Sequence, residues 1–328
     1  MKPRILTHGG CTDGFCSAFV FKKYFSHLLG DADVEIIQLQ PKEIQLGEFV
    51  VQPGDIVLDL PQPQEKVFFW CDHHLSAKPK LPLPANHYWK LAPSCSGYLL
   101  ELAFAQGLIP TPPIMEFKES IDIIDDAQYT PGQIQECFYP QISASASPLL
   151  KMHQIAAMFH AKDMNLNEEV FRTLLSLELA ETPIESKEIW QLRPEMFFRA
   201  LLQGYAQWRE WVDAYLYLDS GCVIQDDRKV KFSKGVPDRF YVYMKYPHSN
   251  YGLSIRVVDE KEARIGLGSN IFHKERCIVD IGKLCKVVGK KFGSGAGGGH
   301  YYVGGTTIFP EKVDEAILFI VGELKRGQ

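Results

Sequence analysis

The sequence lacks the features that mark membrane-spanning, secreted and zinc-knuckle proteins. No segment approaches roughly 18 uninterrupted apolar residues, which argues against a membrane span. The eight cysteines include no CxxC pair, and their spacing fits neither a zinc knuckle nor a compact disulfide framework. Residues 1–4 lead straight into a predicted strand and lack the apolar centre of a signal peptide. We therefore expect mostly buried thiols in a reducing compartment, with the cytoplasm as the default location.

Positive charge is also in short supply. The chain has 35 Lys and Arg against 40 Asp and Glu, a net charge of −5. Broad binding to nucleic-acid backbones needs a dense positive surface, so a long duplex is not an expected partner. A small anionic ligand in a local basic pocket is compatible with this balance. The length of 328 residues and the hydrophobic content of 46% indicate a globular protein with about two domains.

The first candidate for a functional site is the stretch at residues 67–74, an apolar run that ends in Asp72, His73 and His74. Such a run is typical of a buried strand in a parallel sheet. Open α/β sheets place their chemistry just beyond the carboxyl ends of the strands. Imidazoles bind transition metals, and carboxylates suit manganese and magnesium. A surface loop that happens to hold two histidines is the alternative for this tripeptide taken alone.

The amino-terminal segment has a similar arrangement. A predicted strand at residues 4–7 ends in His8, and a glycine-containing loop with Asp13 leads into a helix predicted over residues 15–29. A strand, a glycine-rich loop and a helix form a typical ligand-binding turn. A phosphate-cradling loop without metal is an alternative, which the missing P-loop lysine weakens.

Two further strands are predicted at residues 34–39 and 55–59, and the second ends in Asp59. Three strand ends, at His8, at Asp59 and at the histidine tripeptide, therefore carry carboxylates or imidazoles. Groups of this kind that converge on one edge of a sheet predict a two-metal site for phosphoryl chemistry.

The next segments are predicted to be helical. Residues 92–96 resemble a helix N-cap, and a helix is predicted to follow over residues 97–105. A helix over residues 114–127 carries Asp122 and Asp125 in an otherwise apolar context. These carboxylates are either a solvated helix end or a further metal ligand.

Residues 147–218 are predicted to be almost wholly helical, with Leu174 and Leu179 among the core positions. His153 and His160 lie seven residues apart on one helix face. We interpret both as structural or surface residues, because no carboxylate accompanies them at ligand spacing.

The pattern changes to strands after residue 218. Strands are predicted at residues 222–225, 239–246, 251–258 and 263–267. A helix capped by Asp280 then leads to the glycine-rich stretch at residues 293–300, and a closing helix is predicted over residues 310–324. Glycines allow a close approach to a ligand, and backbone N–H groups with Arg256 and His300 would form an anion pocket. A flexible linker is disfavoured, because the stretch lies between predicted packed elements.

Together, these features resemble the DHH phosphoesterase superfamily with its associated C-terminal domain. Three stretches carry the resemblance, in the family's order: Asp72-His73-His74, Ser254-Ile255-Arg256 and Gly297-Gly298-Gly299-His300. The resemblance implies an α/β fold with an N-terminal parallel-sheet DHH domain over residues 1–130. A helical extension and linker over residues 131–217 and a smaller α/β substrate-binding domain over residues 218–328 would follow.

The resemblance also implies a two-manganese hydrolase, with Mg²⁺ or Co²⁺ as alternatives. The implied ligands are His8, Asp13, Asp59, His73 and Asp125, with Asp59 bridging the ions and Asp122 competing with Asp125. His74 would contact the scissile phosphate or the leaving group, and Asp72 would orient a histidine. The implied substrate-binding residues are Arg256, Gly297, Gly298, Gly299 and His300.

The first motif departs from the family pattern, which usually has a histidine and two aspartates separated by one residue. Here Gly10-Cys11-Thr12 provides no second carboxylate beside Asp13. One ion would keep His8 and Asp59 as clear protein ligands, with water, Thr12 or a phosphate completing its shell. A weakly bound ion and a degenerate, non-catalytic member are the alternatives.

The expected function is metal-dependent hydrolysis of short oligonucleotides, linear dinucleotides or related nucleoside phosphates by two-metal water activation. The expected partner is such a short nucleotide or phosphate ester, with no membrane, and a homodimer is an open alternative. An exopolyphosphatase or pyrophosphatase is the runner-up, because Lys286, Lys290 and Lys291 lie near the glycine-rich stretch. A nucleotide-binding protein without catalysis is the alternative from another class.

Overall fold

A computed structural model describes residues 2–30, 34–79, 82–140, 146–161, 164–177, 182–229 and 235–326. The fold is α/β, as the sequence predicts, with a parallel sheet in one part and a mixed sheet in the other. The chain divides into two compact units, Met1–Ala200 and Leu201–Gln328, called here the N-terminal and the C-terminal unit. The three-segment division with boundaries at residues 130 and 217 stays a prediction.

The N-terminal unit is built on a five-stranded parallel sheet. Its strands are β1 (Arg4–His8), β2 (Glu35–Leu39), β3 (Ile56–Leu58), β4 (Phe69–Asp72) and β5 (His87–Trp89), in the order β2-β1-β3-β4-β5. The first four strands confirm the predictions. The fifth was not predicted, because three half-buried residues carry little strand pattern. The strand order reverses between β1 and β3, and ligands of open α/β sheets bind at such a switch point.

Nine helices begin in the described part of this unit. They are α1 (Thr12–Tyr24), α2 (Pro41–Gln45), α3 (Cys95–Ala105), α4 (Pro112–Asp125), α5 (Pro131–Phe138), α6 (Pro148–Phe159), α7 (Met164–Ser176), α8 (Lys187–Gln191) and α9 (Pro194–Val212). The predicted helices at residues 97–105 and 114–127 are confirmed. The one predicted over residues 15–29 ends earlier, at Tyr24, and a 3₁₀ turn (Ser26–Leu28) follows. Leu174 is buried as predicted, whereas Leu179 lies outside the described residues.

Aromatic packing fixes α1 between the sheet and the helical layer. The Phe21 ring meets Phe69 of β4 edge to face, with ring centroids 4.8 Å apart. The Phe15 ring stacks on Phe159 of α6 at 4.6 Å. Such pairs contribute about 0.5–1.5 kcal/mol beyond the area that they bury. They hold the first turn of α1, where Asp13 lies, against the ends of the strands.

The C-terminal unit contains a six-stranded mixed sheet. Its strands are β6 (Leu216–Asp219), β7 (Cys222–Asp226), β8 (Tyr251–Val257), β9 (Ala263–Ser269), β10 (Gly297–Gly299) and β11 (Val303–Ile308), in the order β10-β11-β9-β8-β7-β6. Alternate residues of β8 are buried in a core shared with α11 (Ile281–Phe292) and α12 (Val313–Arg326). Asp280 caps α11 as predicted, because its side chain accepts the Lys283 N–H.

Two predictions in this unit are wrong. The predicted strand at residues 239–246 is instead the short helix α10 (Tyr241–Lys245), after a turn in which Asp238 accepts the Phe240 N–H at 3.1 Å. The aromatic and β-branched residues there resemble a strand in sequence, but tertiary packing overrides the preference. Residues 216–218 form β6 rather than the end of a helix, because Ser220 and Gly221, both at positive φ, turn the chain into a hairpin with β7.

Among the described residues, no helix combines the length and apolar character needed to cross a membrane.

Candidate metal centre

Three adjacent strands deliver the polar residues of one cluster. His8 ends β1, Asp59 follows β3, and His73 follows β4. Because β3 lies between β1 and β4 in the sheet, Asp59 lies between the two imidazoles. Its Oδ2 is 3.3 Å from Nδ1 of His8, and its Oδ1 is 3.3 Å from Nε2 of His73. One carboxylate thus presents one oxygen to the end of β1 and the other to the end of β4.

The main chain at Asp59 has a conformation that few residues adopt. Its φ is 55°, in the left-handed region, which aspartate tolerates better than most residues. The side chain is 1% exposed, and neither carboxylate oxygen has a hydrogen-bond partner among the described residues. Buried polar atoms nearly always have a hydrogen-bond partner, so a buried carboxylate without one calls for an explanation such as an ion. A cation between the imidazoles and this carboxylate fits that requirement.

Asp13 is held by the start of another helix. Its Oδ2 accepts the Cys95 N–H at 2.7 Å, and its Oδ1 accepts the Ser96 N–H at 2.9 Å. These N–H groups open α3, where the helix dipole favours a negative charge. Asp13 is fully buried, and its Oδ2 also lies 3.7 Å from Nε2 of His73. The helix start therefore fixes this carboxylate beside the imidazole.

His73 is oriented by the main chain. Its Nδ1 lies 2.9 Å from the carbonyl oxygen of Ala92, which makes Nδ1–H the donor in this contact. The opposite atom, Nε2, is directed at the carboxylates of Asp13, Asp59 and Asp125. A metal-binding imidazole is commonly oriented in this way by a hydrogen bond from its other nitrogen.

Asp125 joins this cluster, whereas Asp122 belongs to a structural network. Oδ2 of Asp125 lies 3.5 Å from Nε2 of His73. Asp122, one helical turn earlier on α4, accepts the Ser94 hydroxyl at 2.5 Å and pairs with Lys118 at 2.7 Å. Ser94 in turn caps α3 by accepting the Gly97 N–H at 2.9 Å. The structure therefore separates two carboxylates that the sequence alone leaves as competitors.

Asp72 and His74 form a second oriented pair. Oδ1 of Asp72 lies 2.8 Å from Nδ1 of His74 and also accepts the His73 N–H at 2.8 Å. Asp72 is fully buried, while the His74 side chain is 22% exposed. The indole N–H of Trp89 on β5 donates to the carbonyl oxygen of His74 at 3.0 Å. The ring of His74 is thus fixed through Nδ1, with its other nitrogen directed away from Asp72.

Two groups of candidate ligand atoms lie beside Asp59: Asp13, His73 and Asp125 in one, and His8, Cys11 and Asp59 in the other. A third group joins Asp59 to Asp72, His73 and His74, and in each group the ligand atoms lie within 4.8 Å of one another. Imidazole nitrogens and carboxylate oxygens together suit Mn²⁺, Co²⁺ and Zn²⁺. The donor set on the two sides of Asp59 therefore fits two cations.

The ligands predicted for the first motif do not include Cys11. Those predictions rest on carboxylates and hydroxyls, although a thiolate is also a metal ligand. The signal available in the sequence was the position of Cys11, two residues before Asp13. Thr12, considered as a ligand, has its hydroxyl 3.5 Å from Nε2 of His160. His160, interpreted as structural or surface, thus lies next to the first turn of α1.

The charges of the cluster shift one another's pKa values. Burial raises the pKa of Asp13 well above its usual value, and the negative charges of Asp59 and Asp125 raise it further. Burial acts to lower the pKa of His73, but the surrounding carboxylates outweigh it and raise the pKa. Burial acts to raise the pKa of Asp59, but the imidazoles of His73 and His8 outweigh it and lower the pKa. The crowding of buried carboxylates makes the site attractive to cations.

The predicted substrate-binding residues lie in the C-terminal unit. Arg256 is exposed on β8, opposite Arg264 of β9. Gly297–Gly299 form β10, and an added Cβ at Gly282 of α11 would come within 2.3 Å of the Gly299 carbonyl oxygen. The carbonyl oxygen of His300 accepts the Gly282 N–H at 2.9 Å. The packing of α11 against β10 thus requires a small residue at Gly282. Substrate binding remains a prediction for Arg256, Gly297, Gly298, Gly299 and His300.

Solved structures similar to this one align along nearly the whole chain. The pGpG-specific phosphodiesterase PggH from Vibrio cholerae aligns over 100% of both chains, at 18% identity and a TM-score of 0.61. A DHH domain described as belonging to a family of ribosomal proteins covers 99% of this chain and 87% of its own, at 14% identity and a TM-score of 0.60. The chain has the same fold as this phosphodiesterase and this DHH domain.

Within this DHH fold, RecJ from Thermus thermophilus, solved in complex with Mn²⁺, is a further similar structure. It aligns over 99% of this chain and 52% of its own length, at 13% identity and a TM-score of 0.55, so the chain spans about half of RecJ. No protein-family model matches the sequence, and no curated protein matches it significantly. The similarity therefore lies in the fold, and Asp72-His73-His74 occupies the end of β4 in that fold.

Proposed function

We propose that this protein is a metal-dependent phosphoesterase that hydrolyses short oligonucleotides, linear dinucleotides among them. The observation that carries the proposal is the buried carboxylate of Asp59, which lies at the switch point with an imidazole beside each oxygen. The DHH fold and its phosphodiesterase and exonuclease neighbours support phosphoester hydrolysis as the reaction class.

The proposed metal ligands divide between two positions. Asp13, His73 and Asp125 would hold one cation, His8 would hold the other, and Asp59 would contribute an oxygen to each. Manganese is the proposed ion, with magnesium or cobalt as alternatives, and RecJ structures contain Mn²⁺ or Mg²⁺. When bound, two such cations supply positive charge to a phosphoryl group and lower the pKa of water.

His74 is the proposed residue for contact with the scissile group, and Asp72 is its orienting partner. The contact between Asp72 and Nδ1 fixes the ring, so Nε2 is the atom that would meet the phosphoryl or leaving oxygen. Burial and the neighbouring His73 act to lower the pKa of His74, but Asp72 and Asp59 outweigh them and raise it. A shift in this direction favours the protonated ring, which suits a donor to the leaving oxygen.

The proposed substrate is short. The similar structure PggH, which aligns along its full length, is named for its specificity towards pGpG, a linear dinucleotide. The net charge of −5 disfavours a long nucleic acid. We propose that Arg256 and the Gly297–Gly299 strand with His300 bind the part of the substrate away from the scissile phosphate. A guanidinium recognises phosphate oxygens with two parallel hydrogen bonds.

The decisive experiment compares substrates in the presence of Mn²⁺. The panel contains pGpG, longer oligonucleotides, a cyclic dinucleotide and polyphosphate, each with wild type, His74→Ala and His27→Ala. His27 is an exposed imidazole in the 3₁₀ turn after α1 and serves as the control for loss of a histidine. We expect turnover of the short linear substrates only, lost in His74→Ala and retained in His27→Ala.

Other outcomes would change the assignment. Turnover of polyphosphate alone would identify an exopolyphosphatase. No turnover on any substrate, with two bound ions measured, would refute catalysis. It would favour the alternative of a nucleotide-binding protein without catalysis.

A further inference from the structure

The geometry points to Cys11 as a thiolate ligand of the cation that His8 and Asp59 hold. This inference rests on the proposed metal centre and deepens it, because it names the ligand that replaces the missing carboxylate of the first motif. It also implies that the position prefers a softer ion than Mn²⁺, such as Zn²⁺ or Co²⁺.

The first step is the position of the sulfur atom. Cys11 precedes α1 as its N-cap residue, in an extended conformation, and is half-buried. Its Sγ lies within 4.8 Å of ligand atoms of both His8 and Asp59. Ligands of a four-coordinate ion with bonds of about 2.0–2.3 Å lie about 3.5 Å apart. Small side-chain adjustments therefore suffice to bring the three atoms onto one ion.

The second step is independent of the cysteine. The Asp59 carboxylate is 1% exposed, and both of its oxygens lack a hydrogen-bond partner within the described part of the chain. Nδ1 of His8, which lies 3.3 Å from Oδ2 of Asp59, also lacks a hydrogen-bond partner among the described residues. A buried carboxylate and an imidazole nitrogen that face one another without a hydrogen bond are the donors that a cation would satisfy.

The third step separates Cys11 from the cysteines that serve packing. The neighbouring Cys95 donates its thiol to the carbonyl oxygen of Cys71 at 3.3 Å, and both are fully buried. The Cys11 thiol donates to a carboxylate rather than to a main-chain carbonyl group, with Oδ1 of Asp125 as the acceptor at 3.7 Å. A sulfur directed into a carboxylate and imidazole cluster has the surroundings of a metal ligand rather than of a core residue.

The consequence is a centre with two different positions. Thiolate ligands select softer ions, whereas the other position, with the carboxylates of Asp13 and Asp125 beside His73, retains the oxygen-rich surroundings that suit Mn²⁺ and Mg²⁺. The protein would then hold an unlike pair of ions when both kinds are supplied.

The test uses Co²⁺ as an optical probe of the full-length protein. Wild type, Cys11→Ser, Cys11→Asp and Cys16→Ala are titrated with Co²⁺, and the near-ultraviolet thiolate-to-cobalt charge-transfer band is recorded. Cys16 is the matched control, since it lies on α1 next to the cluster but belongs to none of the groups of ligand atoms. We expect the band in wild type and Cys16→Ala, and its loss in both Cys11 variants.

Equilibrium dialysis supplies the metal preference. Cys11→Asp should change the ratio of Zn²⁺ to Mn²⁺ affinity at one position by about tenfold or more in favour of Mn²⁺. If Cys11→Ser does not fold, wild type alone still tests the inference. Zn²⁺ should then protect Cys11, mapped by peptide mass spectrometry, from alkylation.

Three results would overturn the assignment: Co²⁺ binding without the band, a band lost in Cys16→Ala instead, or unchanged alkylation of Cys11 with Zn²⁺ bound. Failure of the proposed function has a different signature. A normal band without hydrolysis of any phosphoester would support Cys11 as a ligand and refute the proposed enzymatic function. Hydrolysis of dinucleotides without the band would support the enzymatic function and refute Cys11 as a ligand.

Discussion

Nε2 of His73 lies 3.3 Å from Oδ1 of Asp59, and both side chains are almost completely buried. The contact joins the ends of β3 and β4 through two groups that ionise with opposite charge. Removing one partner of a buried pair leaves the other uncompensated, which usually costs more than the pair contributes. The two residues are therefore expected to depend on each other for stability, and a bound cation would compensate the surrounding carboxylates.

The two carboxylates of α4 give a matched pair of variants. Asp125→Asn removes a proposed ligand, so we expect the affinity for Mn²⁺ to fall at least about tenfold and hydrolysis to fall with it. Asp122→Asn disturbs the bonds to Ser94 and Lys118, so we expect lower stability, by about 1–3 kcal/mol, with metal binding retained. Isothermal titration and urea unfolding measure the two effects. Loss of metal affinity in Asp122→Asn with none in Asp125→Asn would reverse the assignment.

Substitutions of His74 and Asp72 should lower the turnover rate without changing the metal content. We expect His74→Ala to lower kcat by about 10²–10⁴, the range typical for loss of a general acid or base. Asp72→Asn should lower kcat less, because the ring is kept but is no longer oriented by a carboxylate at Nδ1. Metal content per chain, measured by mass spectrometry, is the control. Loss of both ions in His74→Ala would make His74 a ligand instead.

The strand-end residues could be predicted because their signal is local. Each apolar run that ends in an aspartate or a histidine predicts where that side chain lies, and parallel strands share one edge. The proximity of Asp59 and His73 can therefore be predicted without any knowledge of the rest of the chain. The contact that holds Asp13 could not be predicted, since it joins residues 82 apart in sequence, Asp13 and Cys95.

Other features could not be predicted, because the local secondary-structure preference of the residues disagrees with their tertiary context. Tyr241–Lys245 is rich in residues that favour strands, yet it forms a helix that packs Tyr243 onto Gly252 and Gly268. The family pattern predicts a carboxylate in the first motif and carries no expectation for a thiol, so the resemblance does not predict a role for Cys11.

The glycines of the C-terminal unit provide a test of packing. An added Cβ at Gly282 would lie 2.3 Å from the Gly299 carbonyl oxygen, so Gly282→Ala must push α11 away from β10. We expect a loss of about 1–3 kcal/mol. Gly322 on α12 has nothing within 4 Å of its added Cβ, so Gly322→Ala should stabilise the protein by about 0.5–1 kcal/mol. Urea unfolding of both variants measures the difference, and equal effects would contradict the packing argument.

Arg256 should determine how well nucleotides bind. It is exposed on β8 opposite Arg264, whose guanidinium donates to Glu262 at 2.7 Å. A charge-assisted hydrogen bond contributes about 1.5–3 kcal/mol, so Arg256→Ala should raise the KM for pGpG roughly 10- to 150-fold. An aryl phosphate ester, which has no second nucleotide to bind, should be affected far less.

Arg264→Ala is the control for this prediction, because it removes the same charge from the neighbouring strand. We expect it to leave both KM values nearly unchanged, since its side chain is engaged with Glu262. Steady-state kinetics on the two substrates with the two variants gives four ratios. An equal rise for pGpG and for the aryl ester in Arg256→Ala would mean that this arginine does not recognise the nucleotide. An equal effect of both variants would point to general electrostatic attraction rather than to a specific contact at Arg256.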